Sequence, residues 1–126
     1  MGENSLSEKE LEELQKETLQ MIGEYLDKLI PGMNTVVSEL SGNEKEDTWE
    51  YLRMILDGFN WVCEAYNGTC GYISRNGGTF DNASIDENIK KLNSAYKSKD
   101  KDIVAAQLKD AILPFLSQLK EYIAKI

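Results

Sequence analysis

The chain has no histidine and contains only two cysteines and two prolines. The absence of imidazole excludes histidine acid–base catalysis, histidine-activated nucleophiles and carboxylate–histidine di-iron sites. Cys63 and Cys70 are seven residues apart and form no Cys-x-x-Cys pair, so no zinc pattern is present. We therefore expect free thiols, no catalytic residues, no metal site and no cofactor. An enzyme or small-ligand binder that uses tyrosines and carboxylates is the remaining catalytic alternative.

Long apolar runs are also missing. No stretch approaches the ~20 apolar residues that span a membrane, and no basic segment with an apolar core opens the chain. These features predict a cytoplasmic protein without a membrane partner. The formal net charge is −8, and the acids are concentrated in residues 1–50. This acidic half would repel nucleic acid, so none is expected as a partner.

The acidic half can be interpreted in two ways. A solvated acidic helix face that aids solubility is the simpler interpretation. Alternatively, the acidic first helix lies beside the lysine-rich final third of the chain or meets a basic partner. At 126 residues the chain fits one domain, residues 1–126, with residues 1–6 frayed.

The segment 48–67 is the centre of the predicted fold, because its apolar residues form two helical stripes. The first stripe consists of Leu52, Ile55, Leu56, Phe59, Cys63 and Tyr66, and the second of Met54, Gly58, Trp61 and Ala65, joined by Tyr51 and Val62. Only Arg53, Asp57, Asn60 and Glu64 are left on a narrow polar strip, where the four-residue spacings predict surface pairs. A helix with so wide an apolar arc must be covered on two sides.

The second stripe is expected to pack within the protein, since a glycine inside a helix commonly marks the close approach of another helix. The alternative is an open groove for a partner. In that case Met54, Gly58, Trp61 and Ala65 form the partner-binding site.

The first helix is predicted to begin at a capping box formed by Ser7 and Glu10. One apolar face then carries Leu11, Leu14, Met21, Ile22, Tyr25, Leu26 and Leu29. The same face continues beyond Pro31 to Leu40, so a kinked helix fits better than a hairpin. Asn43 is expected to cap the central helix.

The segment 67–84 contains four glycines, and it is predicted to be a long loop, with a hairpin around Asn76 and Gly77 as a weaker alternative. The loop would keep Cys63 and Cys70 off a single helix. A second capping box at Ser84 opens the third helix, and residues 98–102 form a turn before the last helix, which Pro114 should kink. These elements predict an all-α fold: an antiparallel four-helix up-down bundle with kinked first and last helices and one long loop.

Residues 52–59 together with Trp61, Cys63, Glu64 and Ala65 resemble the second-helix motif of the flagellar export chaperones. Residues 93–96 and 102–122 are similar to the closing helices of that family. Leu56 stands where the family has tyrosine, and the predicted loop differs from the family's helical connection. The resemblance implies a bundle that binds an apolar helix of an export substrate, with Met54, Gly58 and Trp61 near the groove.

The function expected from the sequence is a non-enzymatic interaction module that holds a protein partner by an apolar groove or an acidic face. The alternative is a homodimeric structural protein in which a second copy covers the second stripe.

Overall fold

The computed structural model describes residues 7–126, so the predicted frayed segment 1–6 lies outside the described residues. Four helices make up this part of the chain, and no strand occurs in it. They are α1 (Glu8–Leu40), α2 (Thr48–Arg75), α3 (Asn82–Lys97) and α4, in which α-helical Lys101–Gln107, π-helical Leu108–Ile112 and α-helical Leu113–Ala124 follow one another directly. The predicted all-α, four-helix fold is confirmed, whereas the up-down order stays a prediction.

Helix α1 begins as predicted and continues through its proline. The Ser7 hydroxyl oxygen accepts a hydrogen bond from the Glu10 amide at 3.1 Å, and the hydroxyl donates to the Glu10 carboxylate at 3.0 Å. Pro31 does not end the helix, which runs on to Leu40. Leu29 before the proline and Met33 after it are both buried, so the core-facing stripe keeps its phase across Pro31.

The predicted loop 67–84 is wrong over two thirds of its length, because α2 extends to Arg75 and α3 begins at Asn82. The buried residues of the extension, Thr69, Tyr72 and Ile73, continue the core face that Tyr66 occupies one turn earlier. The Thr69 hydroxyl donates to the carbonyls of Ala65 and Tyr66 at 3.0 Å. Burial of this face therefore outweighs the low helix propensity of the glycines.

The connection that remains between α2 and α3 is a short turn. Gly77 has a φ of +84°, so the Asn76–Gly77 dipeptide marks a turn as its sequence indicates. This turn closes a helix end, and the hairpin alternative is wrong. The cap of α3 is Asp81, whose carboxylate accepts from the Ser84 amide at 3.1 Å and from the Ser84 hydroxyl at 2.8 Å, so α3 begins before the predicted capping box.

The start of α2 also differs from the prediction. Its N-cap is Asp47, which makes no side-chain capping bond. The first helical residue supplies contacts instead: the Thr48 hydroxyl accepts from the Lys45 amide at 2.8 Å and donates to a Glu39 carboxylate oxygen at 2.7 Å. A buried threonine thus ties the connection to the end of α1, and Asn43 is not needed as a cap.

The irregularity predicted at Pro114 takes the form of a π-helical turn just before it. The Leu113 amide donates to the Leu108 carbonyl, a bond that spans five residues instead of four. Proline cannot donate a backbone hydrogen bond and crowds the preceding turn, and a π turn is one way for a helix to continue past such a residue.

Apolar side chains from all four helices form one buried core. Helix α1 is central, since it contacts both α2 and α4. The largest fully buried side chains are Phe59, Leu19, Ile22, Leu26, Leu29, Met33, Leu40, Leu52, Leu92, Leu108, Ile112 and Leu116. Within residues 7–126, none of the helices is both long and apolar enough to span a bilayer.

Candidate functional site: the outer side of the α1–α2 pair

Four large apolar side chains are exposed in two matching pairs on α1 and α2. Leu14 and Met21 on α1 are 49% and 57% exposed, and Met54 and Trp61 on α2 are 58% and 40% exposed. Seven residues separate the members of each pair, so each pair lies on one helical face two turns apart. We call these four residues the outer stripe.

Two predictions from the sequence need correction here. The second stripe of the central helix does not pack internally at Met54 and Trp61, which reach the surface. On α1, Leu14 and Met21 were assigned to the core face, but the core takes only the neighbouring positions such as Ile22 and Leu26. Leu11 is likewise exposed. The apolar face of each helix is wider than the part that the core covers, so the apolar residues at its edge remain exposed.

Contacts along α1 and α2 show that the two helices are antiparallel. The Gln15 side-chain amide donates to the Gly68 carbonyl at 3.3 Å, while Gly32, three quarters of the way along α1, lies against Tyr51 near the start of α2. In this register Met21 of α1 lies next to Trp61 of α2. Met54 of α2 lies at the height of the turn of α1 that contains Lys28. The outer stripe therefore extends from Leu14 to Met54 over about 20 Å of helix length.

Gly58 makes room for the Tyr25 side chain in the middle of the outer stripe. The hydroxyl end of Tyr25 occupies the position that a β-carbon on Gly58 would need. The Tyr25 ring packs edge-on to Trp61, with ring centroids 5.6 Å apart and an interplanar angle of 81°. The atoms nearest to the β-carbon position of Gly58 thus belong to a side chain of α1 and not to the backbone of that helix. Met21, Glu24, Tyr25, Lys28 and Trp61 line a groove of about 680 Å³ here.

The residues around the outer stripe repeat one pattern four times. The residue four positions after each member of the outer stripe is half-buried and lies toward the interface between α1 and α2. The residue three positions after each member is an exposed acid that lies away from this interface. The half-buried residues are Thr18, Tyr25, Gly58 and Ala65, and the exposed acids are Glu17, Glu24, Asp57 and Glu64. We call these acids the acidic borders: two on the α1 edge and two on the α2 edge.

The acidic borders are only weakly neutralised. Arg53 pairs with Asp57 at 3.6 Å, as the spacing on the polar strip predicts, and also with Glu50 at 3.4 Å. Within residues 7–126, Glu17, Glu24 and Glu64 form no ion pair, and Asn60 makes no side-chain bond to Glu64. The outer stripe is therefore an apolar strip between two negative edges.

The two thiols are poorly suited to chemistry. Cys63 and Cys70 lie on the same helix, about 10 Å apart along its axis, which is too far for a disulfide. Burial, with the nearby carboxylates of Asp86 and Glu64, raises the pKa of Cys63 to about 12. Burial also raises the pKa of Cys70. Both therefore stay protonated near neutral pH, the form that is not nucleophilic.

A second concave region, at the turn between α2 and α3, is formed by Tyr66, Phe80 and their neighbours. The Tyr66 ring packs edge-on to Phe80 at 5.7 Å and to Phe115 at 5.2 Å, and its hydroxyl donates to the Asn82 side-chain oxygen. Burial raises the Tyr66 pKa well above its ordinary value. These contacts fix the turn against the core. Nowhere in residues 7–126 do three His, Cys, Asp or Glu side chains cluster as metal ligands.

Comparison with known proteins gives one match. A family model described as a domain of unknown function matches residues 17–122, which include the whole outer stripe except Leu14. Neither the curated proteins nor the solved structures contain a match. The resemblance to flagellar export chaperones therefore stays a prediction.

Proposed function

The chain belongs to this family, DUF8042, and we propose that it is a non-enzymatic interaction module that holds a partner helix against the outer stripe. One observation carries the proposal: four large apolar side chains are exposed in line on the same side of two packed helices. Scattered exposed apolar residues need no explanation, but an aligned set between polar edges is typical of a binding surface.

The composition of the outer stripe suits helix recognition. A partner helix presents apolar side chains at intervals of three, four and seven residues, which matches the seven-residue spacing on both α1 and α2. Met21 and Met54 have flexible side chains that adapt to different shapes, while Trp61 offers a large rigid surface. Of the residues predicted from the sequence, Met54 and Trp61 would contact the partner. Gly58 lies beneath the Tyr25 side chain, and Ala65 is half-buried beside it.

Leu14 and Met21 complete the site from α1 and were not predicted to belong to it. The only sequence signal for them is their spacing of seven residues, with an acid three residues after each. The same spacing is found for residues in a helical core. Only the packing of α1 on α2 therefore distinguishes a core residue from a residue of the outer stripe.

The proposal is tested with a labelled 18-residue helical peptide that carries a leucine face and glutamine elsewhere. Fluorescence anisotropy should show binding to the wild-type chain, and Met54→Ser and Trp61→Ala should each weaken the affinity about tenfold or more. Ile103→Ser is the matched control, because Ile103 is 48% exposed but lies on α4, away from the outer stripe. This control should bind like the wild type. Absence of binding, or equal affinity for all variants, would overturn the proposal.

Self-association is measured in parallel by light scattering over a hundredfold range of concentration. The interaction-module proposal predicts that the wild-type chain is a monomer. A dimer that Met54→Ser dissociates would assign the outer stripe to a second copy of the chain instead.

A further inference from the structure

We infer that the partner helix carries lysine or arginine along both edges of its apolar face. This inference rests on the proposed function and adds the charge of the partner to it. The observation behind it is that exposed acids flank the outer stripe on both long edges, at matching positions of α1 and α2.

The geometry places these acids where the sides of a docked helix would be. A helix is about 10 Å wide with its side chains. If its apolar residues contact Met21 and Trp61, the residues next to its apolar face lie above the acidic borders. Lysine and arginine are suited to these positions, because their aliphatic stems cover apolar surface while their charged ends reach outward. The same division between apolar seam and charged flank sets partner choice in coiled coils.

Three cations lie near the outer stripe, and two of them are already paired: Lys120, which lines a concavity with Glu24, pairs with Asp27 at 2.6 Å. Lys28 lines the groove beside Glu24, and Arg53 is already engaged by Asp57 and Glu50. Three of the four border acids therefore offer carboxylates without an ion-pair partner in residues 7–126. A basic helix would supply those partners, and each new pair would be partly shielded from water by the docked helix.

The acidic borders also disfavour a second copy as the occupant. Two chains that meet through the outer stripe would bring the borders of one chain against those of the other, and each chain carries a net charge of −8. Like charges across an interface cost free energy and suppress the wrong partner. The charge pattern thus selects against self-association and in favour of a basic helix.

The experiment compares three peptides with an identical leucine face but lysine, glutamine or glutamate at the flanking positions. At low salt the lysine peptide should bind the wild-type chain about tenfold more tightly than the glutamine peptide, and the glutamate peptide more weakly still. The difference should shrink as NaCl is added, because salt screens exposed charges. The double variant Glu24→Lys with Glu64→Lys should lose the preference for lysine.

The matched control is Glu87→Lys with Glu121→Lys, which changes the net charge equally but on the exposed surfaces of α3 and α4. It should keep the preference of the wild-type chain. An equal loss in both double variants would mean that overall charge alone attracts the peptide, which overturns the inference. Equal affinity for the three peptides would also overturn it, while leaving the proposed function intact. If no peptide binds, the proposed function fails and the inference fails with it.

Discussion

At Gly58 the local preference of the helix and the tertiary contact oppose each other. Alanine is favoured over glycine inside a helix by about 1 kcal/mol. A β-carbon at this position, however, would collide with Tyr25, whose ring also supports Trp61 from the side. The glycine is therefore explained by the outer stripe, because it allows Tyr25 to lie between the two helices.

We expect Gly58→Ala to destabilise the wild-type chain by about 1 kcal/mol, since Tyr25 must leave its position. In a Tyr25→Ala background the same substitution should stabilise the chain by about 1 kcal/mol, because only the helix preference remains. Urea denaturation of the four chains measures both values. Gly68→Ala is the control: no atom lies within 4 Å of its β-carbon position, so it should stabilise both backgrounds. Equal stabilisation by Gly58→Ala in both would refute the Tyr25 contact.

At the scale of the elements, the sequence predicted the helices from their apolar periods but erred where composition opposed the period. The end of α2 shows why. Tyr66, Thr69 and Ile73 continue the helical spacing of the core face, but the glycines and polar residues among them indicate a loop. Packing against the rest of the core decides the outcome, and single-sequence propensity does not contain that contribution.

The candidate site was half predictable for the same reason. Met54, Gly58, Trp61 and Ala65 could be grouped because they share one stripe of one helix. The contributions of Leu14 and Met21 depend on the side of α1 that meets α2, which periodicity alone does not determine. The acidic borders were visible as exposed charges in the sequence, but their placement on two facing edges follows only from the antiparallel pairing.

The π turn of α4 offers a test at this scale. A π turn holds one residue more than the equivalent α turn, so deletion of the exposed Lys109 should restore an α-helical repeat before Pro114. Proline inside a regular helix costs about 3 kcal/mol. We therefore expect Pro114→Ala to raise the free energy of unfolding by about 3 kcal/mol in the Lys109 deletion variant. In the full chain the same substitution should raise it by less than about 1 kcal/mol.

Chemical denaturation provides the two free-energy differences. Circular dichroism should first show that each variant is folded. A gain of equal size in both backgrounds would mean that the π turn does not accommodate Pro114.

At the scale of the whole molecule, the fold only partly balances the acidic half of the chain. Helix α1 packs against α4, where Lys120 pairs with Asp27 at 2.6 Å, and Lys101 at the start of α4 pairs with Glu44 at 3.8 Å. Only Asp27 belongs to α1, so a single ion pair joins the acidic first helix to the lysine-rich final third. The Lys120–Asp27 pair shares a concavity with Glu24. Glu17, Glu24 and Glu64 nevertheless form no ion pair within residues 7–126, so the charge of these border acids is left uncompensated by ion pairs.

This uncompensated charge should cost stability in the absence of a partner. We expect the melting temperature of the wild-type chain to be higher in about 300 mM NaCl than in about 10 mM NaCl, because salt screens the repulsion between like charges. Glu24→Lys with Glu64→Lys should raise the free energy of unfolding by about 0.5–1 kcal/mol at low salt and reduce the salt dependence. Each new cation replaces one acid of an edge and lies two turns, about 10 Å, from the remaining acid of that edge.

Glu87→Lys with Glu121→Lys should change stability less, although it alters the net charge by the same amount. Thermal melts of the three chains at both salt concentrations separate a local effect from a global one. A larger change in Glu24→Lys with Glu64→Lys than in the control would be a local effect. It would mean that the acids at the proposed binding site of the basic helix destabilise the fold of the free chain. If the two double variants respond alike, the repulsion is spread over the whole surface, and the borders of the outer stripe have no special electrostatic role.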